Sequence, residues 1–386
     1  MLCLARAENH GIKPDAMPEE APILWTDLFR TGEQPDFQMQ MRVLKKHGEP
    51  FLILPGSAAL AAEALSLYPA QMGKARIAKS ALRLALQLRF PVPLERVNVP
   101  ISRNDPLPRF LAGLVGAKPG KFPKLAILAG NPRVQGRRFV ILLFDANGRP
   151  AMVVKTGIGE SAAKLIRKEI AFLRSAPTGV AGLPTLRSEF ASPPVEALAL
   201  DFVAGNAPTA ESREAIGALL GAWLDRSRRV PITELAAWQT LAASSTSDSR
   251  FQALAARFSN CAVSPTIAHG DFVPWNIKVS PKDGGWKVID WERGELSGVP
   301  GWDWLHYVIQ TGILVEKLPS ADLARKMEGL FGDRMFQDYA AAAGIKGREN
   351  ALTAAYLFHC VNVVRPAEGR EAAERLLAIF CERAEG

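Results

Sequence analysis

One stretch limits what this chain can fold into more than any other: Ile267 to Glu292, IAHGDFVPWNIKVSPKDGGWKVIDWE. A polar loop carrying His269, Asp271 and Asn276 runs into an apolar segment, Ile277 to Val279, that reads as a strand. Ser280 to Gly285 combines Pro, Asp and Gly and reads as a turn. Trp286 to Ile289 then reads as a second strand that delivers Asp290. Asn276 lies five positions after Asp271, and Asp290 nineteen after it. Carboxylates and an amide thus stand at the two ends of one hairpin, where paired strands hold loop residues rigidly. Phosphoryl transfer needs such a set: one carboxylate to orient an attacking hydroxyl, and an amide plus a second carboxylate for Mg²⁺. Taken singly, each residue also fits a turn cap or a strand end. The whole set at this spacing is what points to a site.

HGDFVPWN followed by VIDWE closely resembles the motif pair of the aminoglycoside phosphotransferase and choline kinase family, H-G-D-x-x-x-x-N followed by I-D-W or I-D-x-E. The resemblance covers roughly residues 120 to 380. It implies an α+β, bilobal protein-kinase-like fold with a small antiparallel-sheet N-lobe and a mainly helical C-lobe. It also implies a kinase that uses ATP (or GTP) with Mg²⁺ to phosphorylate a small molecule. Position by position, it implies Asp271 as catalytic base, Asn276 and Asp290 as metal ligands, and His269 as organiser of the loop. Asp303, in G-W-D-W, matches the family's acidic residue that holds backbone N–H groups behind that loop.

Upstream, Leu125 to Ala129, Phe139 to Phe144 and Ala151 to Lys155 read as three antiparallel strands, the last two joined by the turn signal Asp145-Ala-Asn-Gly148. Between the first two, Gly130 and Gly136 would let backbone N–H groups approach phosphates, as in the nucleotide lobe of a kinase. Lys155 ends an apolar strand where packing alone would favour another Val. Glu169 sits within the apolar stripe of the next helix, Ser161 to Leu173, rather than on its solvent face. A carboxylate placed there needs a partner, because an unpaired buried charge is costly. Lys155 is the candidate, and in kinases the equivalent pair aims the lysine at the nucleotide phosphates. Gly157 and Gly159 read as ordinary turn residues. A strand pair after Leu183-Pro184 ends in ALALDFV, and Asp201, Phe202 and Val203 mark where the family joins its lobes and holds adenine.

The chain falls into three expected parts: an N-terminal extension of residues 1–120, an N-lobe of 121–205 and a helical C-lobe of 206–386. In the extension, residues 1–22 read as a loose leader, FLILP as a strand, and Ala75 to Leu88 as a helix. The proline-broken stretch Pro91 to Pro106 reads as connector or edge structure, and Pro108 to Val115 as a short helix. Residues 210–260 read as amphipathic helices, and Ala351 to Val364 and Glu371 to Arg383 as further helices.

Apolar residues make up 48% and charged residues 22%, the balance of a globular chain of 386 residues with a large core. The net charge of +8 suits an acidic ligand such as a nucleotide, and no Lys/Arg run exceeds two residues, which argues against nucleic acid. The four cysteines, Cys3, Cys261, Cys360 and Cys381, lack metal or redox spacing and fit reduced thiols in a cytoplasmic protein. No apolar run is long enough to span a bilayer.

Only twelve residues separate Asp290 from Asp303, which leaves no room for the peptide-cradling segment of a protein kinase. A small hydroxylated acceptor is the expectation, a sugar, amino-alcohol or related compound, with Glu292, His306 and Tyr307 as candidate contacts. A catalytically silent nucleotide- or partner-binding module and a protein kinase are the competing readings.

Overall fold

The computed structural model describes residues 23–29, 34–46, 48–68, 70, 73–118, 121–129, 137–209, 212–365 and 368–385. Gly130 and Gly136 lie outside these residues, as does the leader at 1–22.

The first strand, β1 (Phe37–Lys46), alternates buried Met39, Met41 and Val43 with outward polar residues, the period of a half-buried strand. It was not among the expected elements, because its inward positions are largely methionine and its outward ones glutamine. β2 (Glu49–Pro55) contains the expected FLILP run. Helices α1 (Ala58–Ala64) and α2 (Gly73–Gln87) follow, then β3 (Glu95–Ile101) and α3 (Pro106–Leu114). β3 is the edge strand that the proline-broken stretch led one to expect. Pro100, which has no N–H to donate, is tolerated at such an edge. Next come β4 (Leu125–Ala129), β5 (Arg137–Phe144), β6 (Pro150–Ile158), α4 (Glu160–Ser175), β7 (Leu186–Ser192) and β8 (Val195–Asp201).

All eight strands form one sheet in the order β3-β1-β2-β4-β5-β6-β8-β7, with every pairing antiparallel. The first three strands therefore extend the sheet that carries Lys155, joined to it by Leu52 opposite Leu128 and Ile53 opposite Ile127. One face packs Met41, Ile53, Ile127, Ile141 and Val154 against Trp25 and the α3 residues Leu107 and Leu111. The other packs Leu52, Leu54, Ala126, Leu142 and Phe144 against α1 and α2. Farther along that second face, α4 lays Ile166 on Leu198 and Leu200 of β8. Lys155 pairs with Leu198 and Val153 with Leu200, so strand parity puts Lys155 on the face that α4 covers. Gly157 lies inside β6 rather than in a turn. A Cβ there would sit 2.8 Å from the carbonyl carbon of Ala162, so glycine is needed for α4 to approach. Gly159, at φ 85°, makes the turn into α4.

The second half is mainly helical: α5 (Arg213–Ala222), α6 (Ala236–Ser244) and α7 (Ser249–Ala256), then α8 (Trp302–Gln310), α9 (Ser320–Phe331), α10 (Arg334–Ala343), α11 (Glu349–His359) and α12 (Arg370–Glu385). Between α5 and α8 run short strands, β9 (Val230–Pro231), β10 (Ala262–Val263), β11 (Thr266–Ala268), β12 (Ile277–Val279), β13 (Trp286–Val288) and β14 (Glu295–Gly298). The fold is α+β and bilobal, as expected. Among the described residues no helix is long and apolar enough to cross a membrane.

The lobes meet at the segment after β8. Phe202 N–H donates to the Ala151 carbonyl at 3.0 Å, and Asn206 exchanges backbone hydrogen bonds of 2.8 and 3.2 Å with Val279. Gly205 makes that bridge possible, since a Cβ would lie 2.6 Å from the Val279 carbonyl oxygen. Gly205→Ala is expected to lower stability by about 1–3 kcal/mol, the usual cost of forcing a methyl group into a packed site. The urea midpoint measures it.

Candidate functional site

The site begins with a loop that the backbone alone would not hold. Gly270 has φ 75°, and a Cβ on it would meet the Cβ and carbonyl oxygen of Arg293 at 2.9 Å. The buried Asp303, in the first turn of α8, accepts the His269 N–H on Oδ2 at 2.6 Å and the Gly270 N–H on Oδ1 at 3.0 Å. Burial raises the Asp303 carboxyl pKa, while His269 and these two bonds pull against the rise. His269 is itself fully buried. Its Nδ1 accepts the Asp271 N–H at 3.1 Å and its Nε2 donates to the Ile289 carbonyl at 2.9 Å. That pattern fits the neutral ring, and burial depresses its pKa accordingly. His269 thus ties the loop to the end of β13.

The hairpin forms as expected, with Ile277 opposite Val288 and Val279 opposite Trp286. Asn276 Nδ2 donates to the Asp271 backbone carbonyl at 2.9 Å and to Asp271 Oδ2 at 3.1 Å. The other carboxylate oxygen, Oδ1, accepts from His306 Nε2 at 3.1 Å, and His306 Nδ1 shares a hydrogen bond with Tyr356 Oη at 2.7 Å. Both oxygens of Asp271 are therefore aimed. Burial pushes the Asp271 carboxyl up, but the His306 hydrogen bond and charge, with Arg293, outweigh it and leave the group below its ordinary value.

At the other end of the hairpin Asp290 adopts φ 77°, unusual for a residue with a Cβ. Its Oδ1 accepts from Lys155 Nζ at 2.8 Å. The same ammonium donates to both Glu169 oxygens at 2.7 Å, and Glu169 is only 1% exposed. Glu169 also accepts the Trp291 N–H at 3.2 Å, so the helix carboxylate grips the strand lysine and the chain just past Asp290. Burial alone would raise the Asp290 pKa, yet the Lys155 charge brings it down to about 2. Lys155 is opposed by burial in the same way, but its two carboxylates drive its pKa up. Trp291 anchors the region, wholly buried and stacked on Phe172 at 4.7 Å with an interplanar angle of 6°.

The structure thus brings Lys155, Glu169 and Asp290 into one ion-pair cluster, and Asp271, Asn276, His269 and Asp303 into one hydrogen-bonded loop. Asp201 is placed differently from the rest: its carboxylate turns outward to pair with Arg187 at 2.7 Å, so only its backbone belongs to the segment joining the lobes. Glu292 pairs with Arg138, and burial followed by the Asp290 charge raises its pKa. Tyr307 lines a neighbouring cavity. Two contributors gave no signal in the sequence. Arg138 is one of two arginines at the start of an apolar strand, and Tyr356 sits in ALTAAYLFH, which reads as pure core.

No protein-family model matches the chain, and no curated protein does either. Solved structures do align with it. The aminoglycoside phosphotransferase APH(4)-Ia, as a thermostable mutant with ADP and hygromycin B, shares 15% identity over 73% of this chain and 100% of its own, with a TM-score of 0.47. A putative fructosamine-3-kinase from Haemophilus somnus shares 13% over 72% and 97%, with a TM-score of 0.46. The Plasmodium vivax ethanolamine kinase shares 12% over 67% and 82%, with a TM-score of 0.42. In loop motif, lysine–glutamate pair and two-lobed fold, it is the aminoglycoside phosphotransferase and choline-kinase-like proteins that this chain resembles.

Proposed function

We propose that the protein is an ATP-dependent kinase that moves the γ-phosphoryl group to a hydroxyl of a small molecule. The observation that carries this reading is the ion-pair cluster: a strand lysine held by a helix glutamate meets the aspartate that ends the hairpin, beside a loop that presents Asp271 and Asn276. Lys155, fixed by Glu169, is the cation for the nucleotide phosphates, and Asp271 receives the acceptor hydroxyl. With both of its oxygens held, the base is positioned before the acceptor arrives. A carboxylate that is ionised at neutral pH orients the hydroxyl and takes its proton as attack proceeds, which suits a loose phosphoryl-transfer transition state.

The residues present fit Mg²⁺. Asn276 uses its Nδ2 on Asp271, which leaves its carbonyl oxygen for a cation, and Asp290 supplies a carboxylate. Mg²⁺ favours such a site, with one or two protein oxygens and the rest from phosphates and water. Among the described residues no cluster of three His, Cys, Asp or Glu side chains is set to hold a metal by itself. Bound with the nucleotide, the ion would neutralise charge on the phosphate oxygens.

A small acceptor is favoured because the chain between Asp290 and Asp303 is used up by β14, which pairs with β11. A Mg²⁺-dependent rise in Tm with ATP, and acceptor-dependent ADP release across alcohols, amino-alcohols and sugars, are expected. Absence of both would overturn the reading.

The pH dependence follows from His306. Asp271 must be ionised to act, and its pKa lies below the ordinary 3.8, so kcat should hold as pH falls from neutral and decline only in strong acid. His306→Ala removes the bond and charge that offset burial, so the acid limb of the kcat–pH profile should move to higher pH. An unmoved limb would remove His306 from this role.

A further inference from the structure

Beside the His269–Asn276 loop lies an open cavity of about 1060 Å³, lined by α2, residues 205–209, β12, α8 and α9. Trp275, Lys278 and Tyr307 line it from the loop side, and Lys79 and Arg83 line it from α2. Two acidic side chains also face it, and both are engaged. Glu316 pairs with Lys326 at 2.6 Å, and Asp333 caps α10 by accepting the Met335 N–H at 2.8 Å. Arg83 is paired with Glu63 at 3.0 Å.

Lys79 and Lys278 differ from these. Among the described residues neither has a carboxylate partner. Lys79 Nζ donates to the Tyr68 carbonyl at 2.7 Å, and Lys278 Nζ only reaches the Trp275 carbonyl at 3.5 Å. Both are half-buried. Burial depresses the pKa of Lys79, and the charges of Lys278 and Arg83 add to the depression. Two ammonium groups lining one cavity, partly buried and without a carboxylate partner among the described residues, are unfavourable until an anion arrives. Pro274 and Trp275, from the loop that carries Asp271, line the same cavity as Lys278, so an anion held there lies beside that loop.

We infer that this cavity takes an acceptor bearing an anionic group, a phosphate or a carboxylate, which Lys79 and Lys278 bind while the acceptor's hydroxyl faces Asp271. The inference rests on the kinase reading and names its substrate class: a phosphorylated or acidic polyol in preference to a neutral or cationic one. Each lysine gives a charge-assisted hydrogen bond, the stronger kind at a partly desolvated site.

The test has two arms. In the first, ATP consumption is compared for matched acceptors: glycerol against glycerol phosphate, glucose against gluconate, and ethanolamine as the cationic case. The anionic member should give at least about tenfold higher kcat/KM, and the better pair tells phosphate from carboxylate. Lys79→Gln and Lys278→Gln should each raise KM for that member at least about tenfold with kcat little changed, one lost charge-assisted bond each. The Tm rise with Mg²⁺ and ATP should be retained. Preference for neutral or cationic members, or a rise in the KM for ATP instead, would overturn the inference. In the second arm, inorganic phosphate is titrated calorimetrically into the wild type and the Lys79→Gln/Lys278→Gln double variant without nucleotide. Binding by the wild type alone would uphold the anion site even if no acceptor were phosphorylated. Equal binding by both, or none by either, would dismiss the site while leaving the kinase reading intact.

Discussion

Asp271→Ala is expected to lower kcat by about 10²–10⁴-fold, the range a positioned general base contributes, while the protein folds and still gains Tm from Mg²⁺ and ATP. The fold should survive because the Asp271 side chain is 35% exposed and its loop is held by other groups. Asp303 keeps its two backbone N–H bonds, His269 keeps Ile289, and Asn276 keeps the Asp271 backbone carbonyl. What disappears is a carboxylate whose two oxygens had been aimed by Asn276 and His306. Turnover near the wild-type level would remove Asp271 from the reaction. A fall in turnover matched by lost nucleotide binding would make it a nucleotide residue instead.

Lys155→Met is expected to be the more damaging change to the molecule itself. Glu169 is almost wholly buried and would keep only the Trp291 N–H, with Asp290 left unpaired close by. Removing one partner from a buried pair costs about 3–5 kcal/mol, because the other charge is left without compensation. The sign with pH follows directly. In the wild type the Lys155 charge, against burial, holds the Asp290 carboxyl at about 2, below its ordinary 3.8. The stability this lends is fully present above about pH 4 and lost as pH falls toward about 2, and Lys155→Met lacks it at every pH. The gap in unfolding free energy between wild type and Lys155→Met should therefore widen from acid to neutral pH. Glu169→Gln should cost less, since Lys155 keeps Asp290 at 2.8 Å. Equal losses for the two variants, at every pH, would mean that Lys155 is not the shared centre of the cluster. Both should lose turnover.

How much of this was legible in the sequence depended on how local each signal was. The hairpin reads directly, because polar identities at fixed intervals interrupt apolar segments within about 25 residues. Lys155 and Glu169 stand out because each charge occupies a position that packing would give to an apolar residue. Strands β1 to β3 show the opposite case. That they extend the sheet rests on Leu52 meeting Leu128 and Ile53 meeting Ile127, contacts between distant parts of the chain with no local mark. Tyr356 and His306 lie on separate apolar helices and acquire meaning only once α11 and α8 pack together. Lys79 reads as solvated charge on a basic helix until the fold places it on the wall of a cavity that Lys278 also lines.

The central claim is transfer of a phosphoryl group from a nucleotide to a small acceptor at Asp271. Its most direct test is phosphorus NMR of the wild type and Asp271→Ala incubated with ATP, Mg²⁺ and the matched acceptor pairs. The wild type should yield one new phosphate ester for each ADP formed, and Asp271→Ala should yield neither while retaining its Tm rise with Mg²⁺ and ATP. An ester formed equally by both proteins, or ADP released with free phosphate and no ester under every condition, would contradict it.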